Sequence, residues 1–187
     1  PRLHAQRYET RLSCSRVVPE IDGALFLTLP PFYPLFMDIR EIHSVEELPY
    51  DLLAEADPSR EAVDDYTRRG KCYGAYNSDD RLVGVCVLLR TRPFTMEVVN
   101  LAVHADFQRQ GIGKSLIEYA KHKSRSERCT VLEVGTANAG TGQLAFYQKC
   151  GFEIDGIDRD FFRRNYPDPI FENGIECRHM VRLRIEL

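Results

Sequence analysis

The chain has 187 residues, 43% of them hydrophobic and 28% charged, which is the balance of a globular domain and not of a disordered or fibrous chain. A formal net charge of −3 at pH 7 excludes a protein that holds nucleic acid by overall charge. The longest uncharged run, Gly23–Met37, is cut by Pro30, Pro31 and Pro34, follows Glu20 and Asp22, and has no small-residue cleavage site after it, so it reads neither as a membrane span of roughly 20 apolar residues nor as a signal peptide.

Residues 1–36 hold five of the ten prolines, no lysine and no sustained period. The folded domain is therefore expected at 37–187, with 1–36 an upstream extension or an artefact of start assignment; the alternative is an arm packed through Phe26, Phe32, Tyr33 and Phe36. Asp38–Ile42 reads as a short strand. Ser44 caps a helix with Glu46 and Glu47 in its first turn, running through Leu48–Ala56. Pro58 opens a second helix, Ser59–Arg69, which Gly70 ends. Cys72–Tyr76 and Leu82–Leu89 flank the polar turn Asn77-Ser78-Asp79-Asp80 as a hairpin.

Arg90–Phe94 reads as a loop and Met96–Val103 as a strand. Ile112–Ser124 is amphipathic, with Leu116, Ile117 and Ala120 on one face and Lys114, Glu118 and Lys121 on the other. Strand Val131–Val134, helix Gly142–Cys150, strand Phe152–Asp158 and a last strand Ile175–Ile185 complete the order, with a long loop at Arg159–Gly174. This alternation predicts an α/β fold, a mixed central sheet with flanking helices. Six cysteines stand singly with no CxxC pair and the five histidines are dispersed. That spacing predicts small buried thiols in a reduced, cytoplasmic protein, and no metal site.

The most informative stretch runs from Val98 to Ser115, where a strand enters a turn holding Gly111 and Gly113 and a helix opens at once. The first amides of such a helix lack intrahelical partners and form an anion site, with Arg109 and Lys114 adding charge beside it. A dinucleotide fingerprint fails, since Leu116 stands three after Gly113. A Walker A loop has its end in Gly113-Lys114-Ser115 but has Gln108 where the first glycine belongs. The pattern Q/R-x-x-G-x-G/A is met by Gln108-Arg109-Gln110-Gly111-Ile112-Gly113. Here the chain resembles the GNAT acetyltransferase superfamily, in which this turn cradles the pyrophosphate of acetyl-CoA. Downstream, Leu144-Ala145-Phe146-Tyr147-Gln148-Lys149-Cys150-Gly151-Phe152 is similar to that family's A-x-x-x-Y-x-K-x-G-F segment. Gly140 stands where the family often carries an asparagine, Asn138 lies nearby but out of register, and Gln143 replaces the usual alanine.

The resemblance implies a GNAT-type acyl-CoA N-acyltransferase fold over roughly 38–187 and a direct N-acetyl transfer from acetyl-CoA to a primary amine. It assigns Leu101, Ala102 and Val103 to the pantetheine arm through backbone hydrogen bonds, in the manner of an added strand. It assigns Gln108, Arg109, Gln110, Gly111, Ile112, Gly113, Lys114 and Ser115 to the pyrophosphate turn, with Asn138 as a further contact to the cofactor. Tyr147 is the candidate general acid, since a phenol with a reference pKa of about 10 is protonated at neutral pH. Its alternative role is a packed helix tyrosine.

Glu97 and Glu133 are the candidate bases, and alternation puts Glu133 opposite its apolar neighbours Leu132 and Val134. Each could equally be a solvated or ion-paired carboxylate. His104 reads as a turn residue. Glu55, Asp57, Glu61, Asp64 and Asp65 could attract a cationic acceptor or simply form a solvated face. The Arg159–Gly174 loop, with Phe161, Phe162, Tyr166 and Phe171, could shape an acceptor pocket or a homodimer contact. The expected partners are acetyl-CoA and a small-molecule amine, without nucleic acid, membrane or metal. The alternatives are a non-catalytic acyl-CoA-binding module and, from the Walker-like end, a nucleotide hydrolase.

Overall fold

The computed structural model describes residues 37–187, so the readings of 1–36 and of Cys14 lie outside the described residues. The elements in chain order are β1 (Asp38–Ile42), α1 (Tyr50–Ala56), α2 (Arg60–Arg69), β2 (Lys71–Tyr76), β3 (Leu82–Arg92), β4 (Thr95–Val103), α3 (Ile112–Ser126), β5 (Val131–Ala137), α4 (Thr141–Lys149), β6 (Glu153–Asp158), α5 (Phe161–Asn165), β7 (Phe171–Glu172), β8 (Ile175–Glu176) and β9 (Met180–Glu186). Seven strands form one mixed sheet in the order β1-β2-β3-β4-β5-β9-β6, in which β4 and β5 are parallel and every other pair is antiparallel. The expected mixed central sheet with flanking helices is what forms.

Helices cover both faces, and this explains the unbroken apolar run of β3, since a strand buried on both sides has no polar face. On one side α3 packs Leu116, Ile117 and Ala120 against Cys86, Leu88, Met96 and Leu132. On the other, Leu52 and Leu53 of α1 and Val63 and Tyr66 of α2 pack on Val85, Val87 and Ala102. Leu53, Leu116 and Ile117 are fully enclosed, so each contributes about 2 kcal/mol by burial. The five described cysteines are free and buried, as their scattered apolar contexts predict.

Three predicted elements differ. Ser44 caps only a single turn, Val45–Glu47, with its Oγ accepting from the Glu46 amide at 3.2 Å. Leu48 is extended (ψ 126°) because Pro49 disfavours a helical residue before it, so α1 starts afresh at Tyr50. The loop expected at Arg90–Phe94 shrinks to Pro93-Phe94, with Phe94 at φ +65° and Arg92 paired to Thr95. The single last strand splits into β8 and β9, and the loop before it contains α5 and the two-residue strand β7. The split falls where Asn138 reaches across: its Oδ1 accepts from the amides of Arg178 and His179, each at 2.8 Å, and its Nδ2 donates to the Glu176 carbonyl at 3.1 Å. No described helix is long and apolar enough to cross a membrane.

Candidate functional site

Strands β4 and β5 pair only from Thr95↔Val131 to Val98↔Val134. Beyond that both continue, β4 to Val103 and β5 to Ala137, without a hydrogen-bonded partner between them. The divergence begins at a β-bulge in β4: Asn100 pairs with Val87 and Val98 with Leu88, so Val99 is the extra residue. A one-residue insertion reverses which side chains face which side. Met96 and Val98 pack toward α3, but after the bulge it is Leu101 and Val103 that pack there, while Ala102 turns to α1 and α2. The bulge thus turns β4 away from β5 and leaves alternate backbone groups of Val99–Val103 facing an open gap.

That gap is a cavity of about 510 Å³, lined on one side by Leu101, Ala102 and Val103 and on the other by Gly135, Thr136 and Tyr147. At its far end sits the turn before α3. Gly111 takes φ +88° with no heavy atom within 4 Å of a would-be Cβ, the freedom and bare surface that a backbone anion cradle needs. The first backbone bond of α3 runs from Ser115 N to Gly111 O at 3.0 Å, and the amides of Ile112, Gly113 and Lys114 donate to no backbone carbonyl. Arg109 and Lys114 are exposed beside them. Gln108 lines the gap and donates from Nε2 to the Val103 carbonyl at 3.0 Å, tying the turn to the strand end. Ile112 is buried, so its side chain anchors the helix and only its amide is free. Ser115 Oγ donates to Gly111 O at 3.3 Å.

Tyr147, from α4, is 8% exposed and packed edge-on against Phe146 and Phe152 at ring distances of 5.1 and 5.9 Å. Burial pushes its phenol well above the ordinary tyrosine value, so it is a proton donor, never a phenolate, at neutral pH. The structure does not bring Asn138 to the gap, because its side chain is committed to the backbone of 176–179. His104 is a turn residue as expected, its Nδ1 accepting from the Asp106 amide at 3.3 Å.

A second cavity, about 630 Å³, opens on the α1–α2 side and shares Asp57, Val98, Val99, Gly135, Tyr166 and Met180 with the first. Glu97 lines it, 2.7 Å from Arg182 Nη1. Burial raises the Glu97 carboxyl above its usual range; Arg182 pulls it back and Glu133 pushes it up further. Glu133 pairs in register with Glu97 but lines neither cavity, and its carboxylate is held by Arg92.

Asp57, in the turn between α1 and α2, accepts from the Tyr166 hydroxyl at 3.1 Å and the Ser59 amide at 3.0 Å, and burial raises its pKa. Asn100 is 4% exposed, and its Nδ2 donates to the Leu53 carbonyl at 3.0 Å and the Tyr66 hydroxyl at 2.8 Å. Neither Asn100 nor Tyr66 was a predicted site residue. The available signal was Asn100 itself, an amide inside the apolar run Val98–Val103. The aromatic stretch after β6 does border the cavities, as one of its two expected roles required: Phe161, Phe162, Tyr166 and Phe171 all line them. Among the described residues no cluster of three or more His, Cys, Asp or Glu could hold a metal ion.

A sheet opened by a bulge beside a glycine turn and a helix start is the framework of an acyl-CoA-dependent transferase, and known proteins agree. The profile of the acetyltransferase (GNAT) family matches residues 33–152. The uncharacterized N-acetyltransferase YvbK of Bacillus subtilis is 52% identical over 138 residues, spanning 74% of this chain and 88% of that protein. A GNAT family acetyltransferase from Elizabethkingia anophelis, solved with acetyl-CoA bound, superposes with a TM-score of 0.78 at 42% identity, over 81% of this chain and 98% of that one. A Bacillus subtilis acetyltransferase solved with CoA gives a TM-score of 0.76 at 48% identity, over 81% and 99%. The chain belongs to the GNAT acetyltransferase family and is an N-acetyltransferase by class.

Proposed function

We propose that the protein moves the acetyl group of acetyl-CoA to a primary amine by direct attack, both substrates being bound together. The observation that carries this reading is the gap between β4 and β5, which ends at free helix amides and contains a buried tyrosine. Acetyl-CoA supplies an activated thioester. The unpaired backbone groups of Leu101, Ala102 and Val103 hold its pantetheine arm as a strand would. The amides of Gly111, Ile112, Gly113 and Lys114 take the pyrophosphate, with Gln108, Arg109, Gln110 and Ser115 shaping and charging the turn.

A backbone amide of β4 stabilises negative charge as it develops on the thioester oxygen. Tyr147 gives its proton to the departing sulfur. Glu97, paired with Arg182, borders the acceptor's side of the site. The acceptor enters through the second cavity, whose volume suits a small molecule. Relatives bound to acetyl-CoA and CoA support the cofactor assignment. Calorimetry with acetyl-CoA, followed by thiol release over a panel of primary amines, tests it. Binding with release supports transfer; binding without release on every amine would leave only a CoA-binding module.

A further inference from the structure

We infer that Asp57 anchors the incoming ammonium and removes its proton, an assignment that rests on the acetyl-transfer reading above. Asp57 lines both cavities, and so stands where acceptor and thioester must meet. Of the two half-buried carboxylates that line the second cavity, Asp57 and Glu97, Asp57 is the one with no cationic partner. Glu97 is held by Arg182 at 2.7 Å and Asp65 by Arg69 at 2.7 Å. The remaining one, Glu61, is an exposed residue of the first turn of α2. Asp57 has only the Tyr166 hydroxyl and the Ser59 amide, both on the same Oδ1, which leaves Oδ2 without a partner. A half-buried carboxylate with one free oxygen and no countercharge is costly unless a cation arrives. An alkylammonium is such a cation.

Ser59 and Tyr66 at α2 and Tyr166 after α5 stand beside Asp57, and the cavity it lines also carries Glu61, Asp65 and Arg69 of α2, Arg90 of β3, Glu97 of β4 and Arg182 of β9. Burial raises the Asp57 carboxyl, and the two hydrogen bonds pull it back down. Such a group is ionised at neutral pH yet is a better base than an exposed aspartate.

Asp57 takes one proton from the ammonium, and the freed lone pair forms the N–C bond to the thioester carbon. The C–S bond breaks with its electron pair on sulfur, which takes the Tyr147 proton. The nitrogen's second proton restores Tyr147 through water, and Asp57 releases its own proton to solvent. The products are an amide and CoA thiol.

The test uses the full chain, acetyl-CoA, and benzylamine, spermidine, glucosamine and lysine methyl ester as acceptors. Asp57→Asn is expected to lower kcat/KM on every accepted amine by about 100-fold at pH 7, with the acetyl-CoA dissociation constant unchanged. Its rate on the alkylamines benzylamine and spermidine should then climb about tenfold per pH unit toward the amine's own pKa, because only free amine reacts. The wild-type rate should level off well below that. Calorimetry of the CoA-loaded protein with the best amine should show about tenfold weaker binding in Asp57→Asn at pH 7. Tyr166→Phe keeps the carboxylate but removes a hydrogen bond that lowers its pKa, so the acidic limb of the wild-type profile should move to higher pH. Unchanged pH profiles in both variants would overturn the assignment while leaving acetyl transfer intact. A wild-type protein that binds acetyl-CoA yet acetylates none of the four amines would overturn the transfer reading, and this assignment with it.

Discussion

Glu97 and Glu133 are register partners on the parallel strands β4 and β5, yet they hold different positions in the molecule. Glu97 lines the second cavity and is bound by Arg182 of β9; Glu133 is bound by Arg92 at the end of β3 and lines neither cavity. Sequence spacing alone treats them as equivalent, because both alternate outward from apolar neighbours. The difference comes from which arginine each meets: Arg182 of β9 reaches past β5 to Glu97, and Arg92 of β3 reaches past β4 to Glu133.

Glu133→Gln is accordingly expected to change turnover by less than about twofold and stability by no more than about 0.5 kcal/mol. Glu97→Gln removes the nearer carboxylate of the half-buried Arg182, leaving it only Asp158 at 3.9 Å, and is expected to raise the acceptor KM several-fold with a smaller effect on kcat. Steady-state kinetics on both variants check this pair. Equal losses in the two would mean that β4 and β5 contribute symmetrically to the site.

Tyr147→Phe removes one hydroxyl from a buried ring and leaves its packing against Phe146 and Phe152 in place. The expected result is a kcat lower by about 100-fold at saturating substrates, with an unchanged KM for acetyl-CoA. Unchanged turnover would reduce Tyr147 to a packing residue.

Asn138→Ala is expected to cost stability, about 1 kcal/mol, without weakening acetyl-CoA binding, since the side chain bridges to backbone groups at 176–179 and not to the gap. Thermal melting and calorimetry together separate these effects. A loss of cofactor affinity at constant stability would contradict the placement.

Asp57→Asn is expected to raise the melting temperature of the ligand-free protein at neutral pH. The native Asp57 carboxyl has its pKa raised by burial, so the folded state holds its proton more tightly than the unfolded chain does. That contribution to stability is present below the unfolded pKa and is lost as pH rises through the folded one. Removing the charge therefore stabilises at pH 7, and the difference should fade below about pH 4, where the unfolded carboxyl is protonated too. Site residues often sacrifice stability in this way.

Much of the fold was legible in the chain. The amphipathic stripe Leu116-Ile117-Ala120, the Gly70 stop of α2 and the polar turn after Tyr76 are local signals, and each formed where its residues pointed; the structure adds Ser59 as the cap of α2, its side chain accepting from the Ala62 amide. What escaped was set by contacts across the sheet. β5 runs on to Ala137 because β9 pairs along its whole length, and the last strand breaks where Asn138 binds the chain before β9. The bulge at Val99 leaves no mark in the apolar run Val98–Val103, because both of its faces are covered. At the site, the glycine turn was legible from motif and the aromatic stretch from length. The Asp57–Tyr166 bond joins residues 109 positions apart and has no sequence signature.

The most direct measurement is mass analysis of the amine after incubation with acetyl-CoA and the full chain, alongside thiol release. A product heavier by one acetyl group is expected, formed in step with CoA thiol, and formed about 100-fold more slowly at pH 7 by Tyr147→Phe and by Asp57→Asn while acetyl-CoA still binds. Tight acetyl-CoA binding with neither thiol release nor acetylated amine would contradict it.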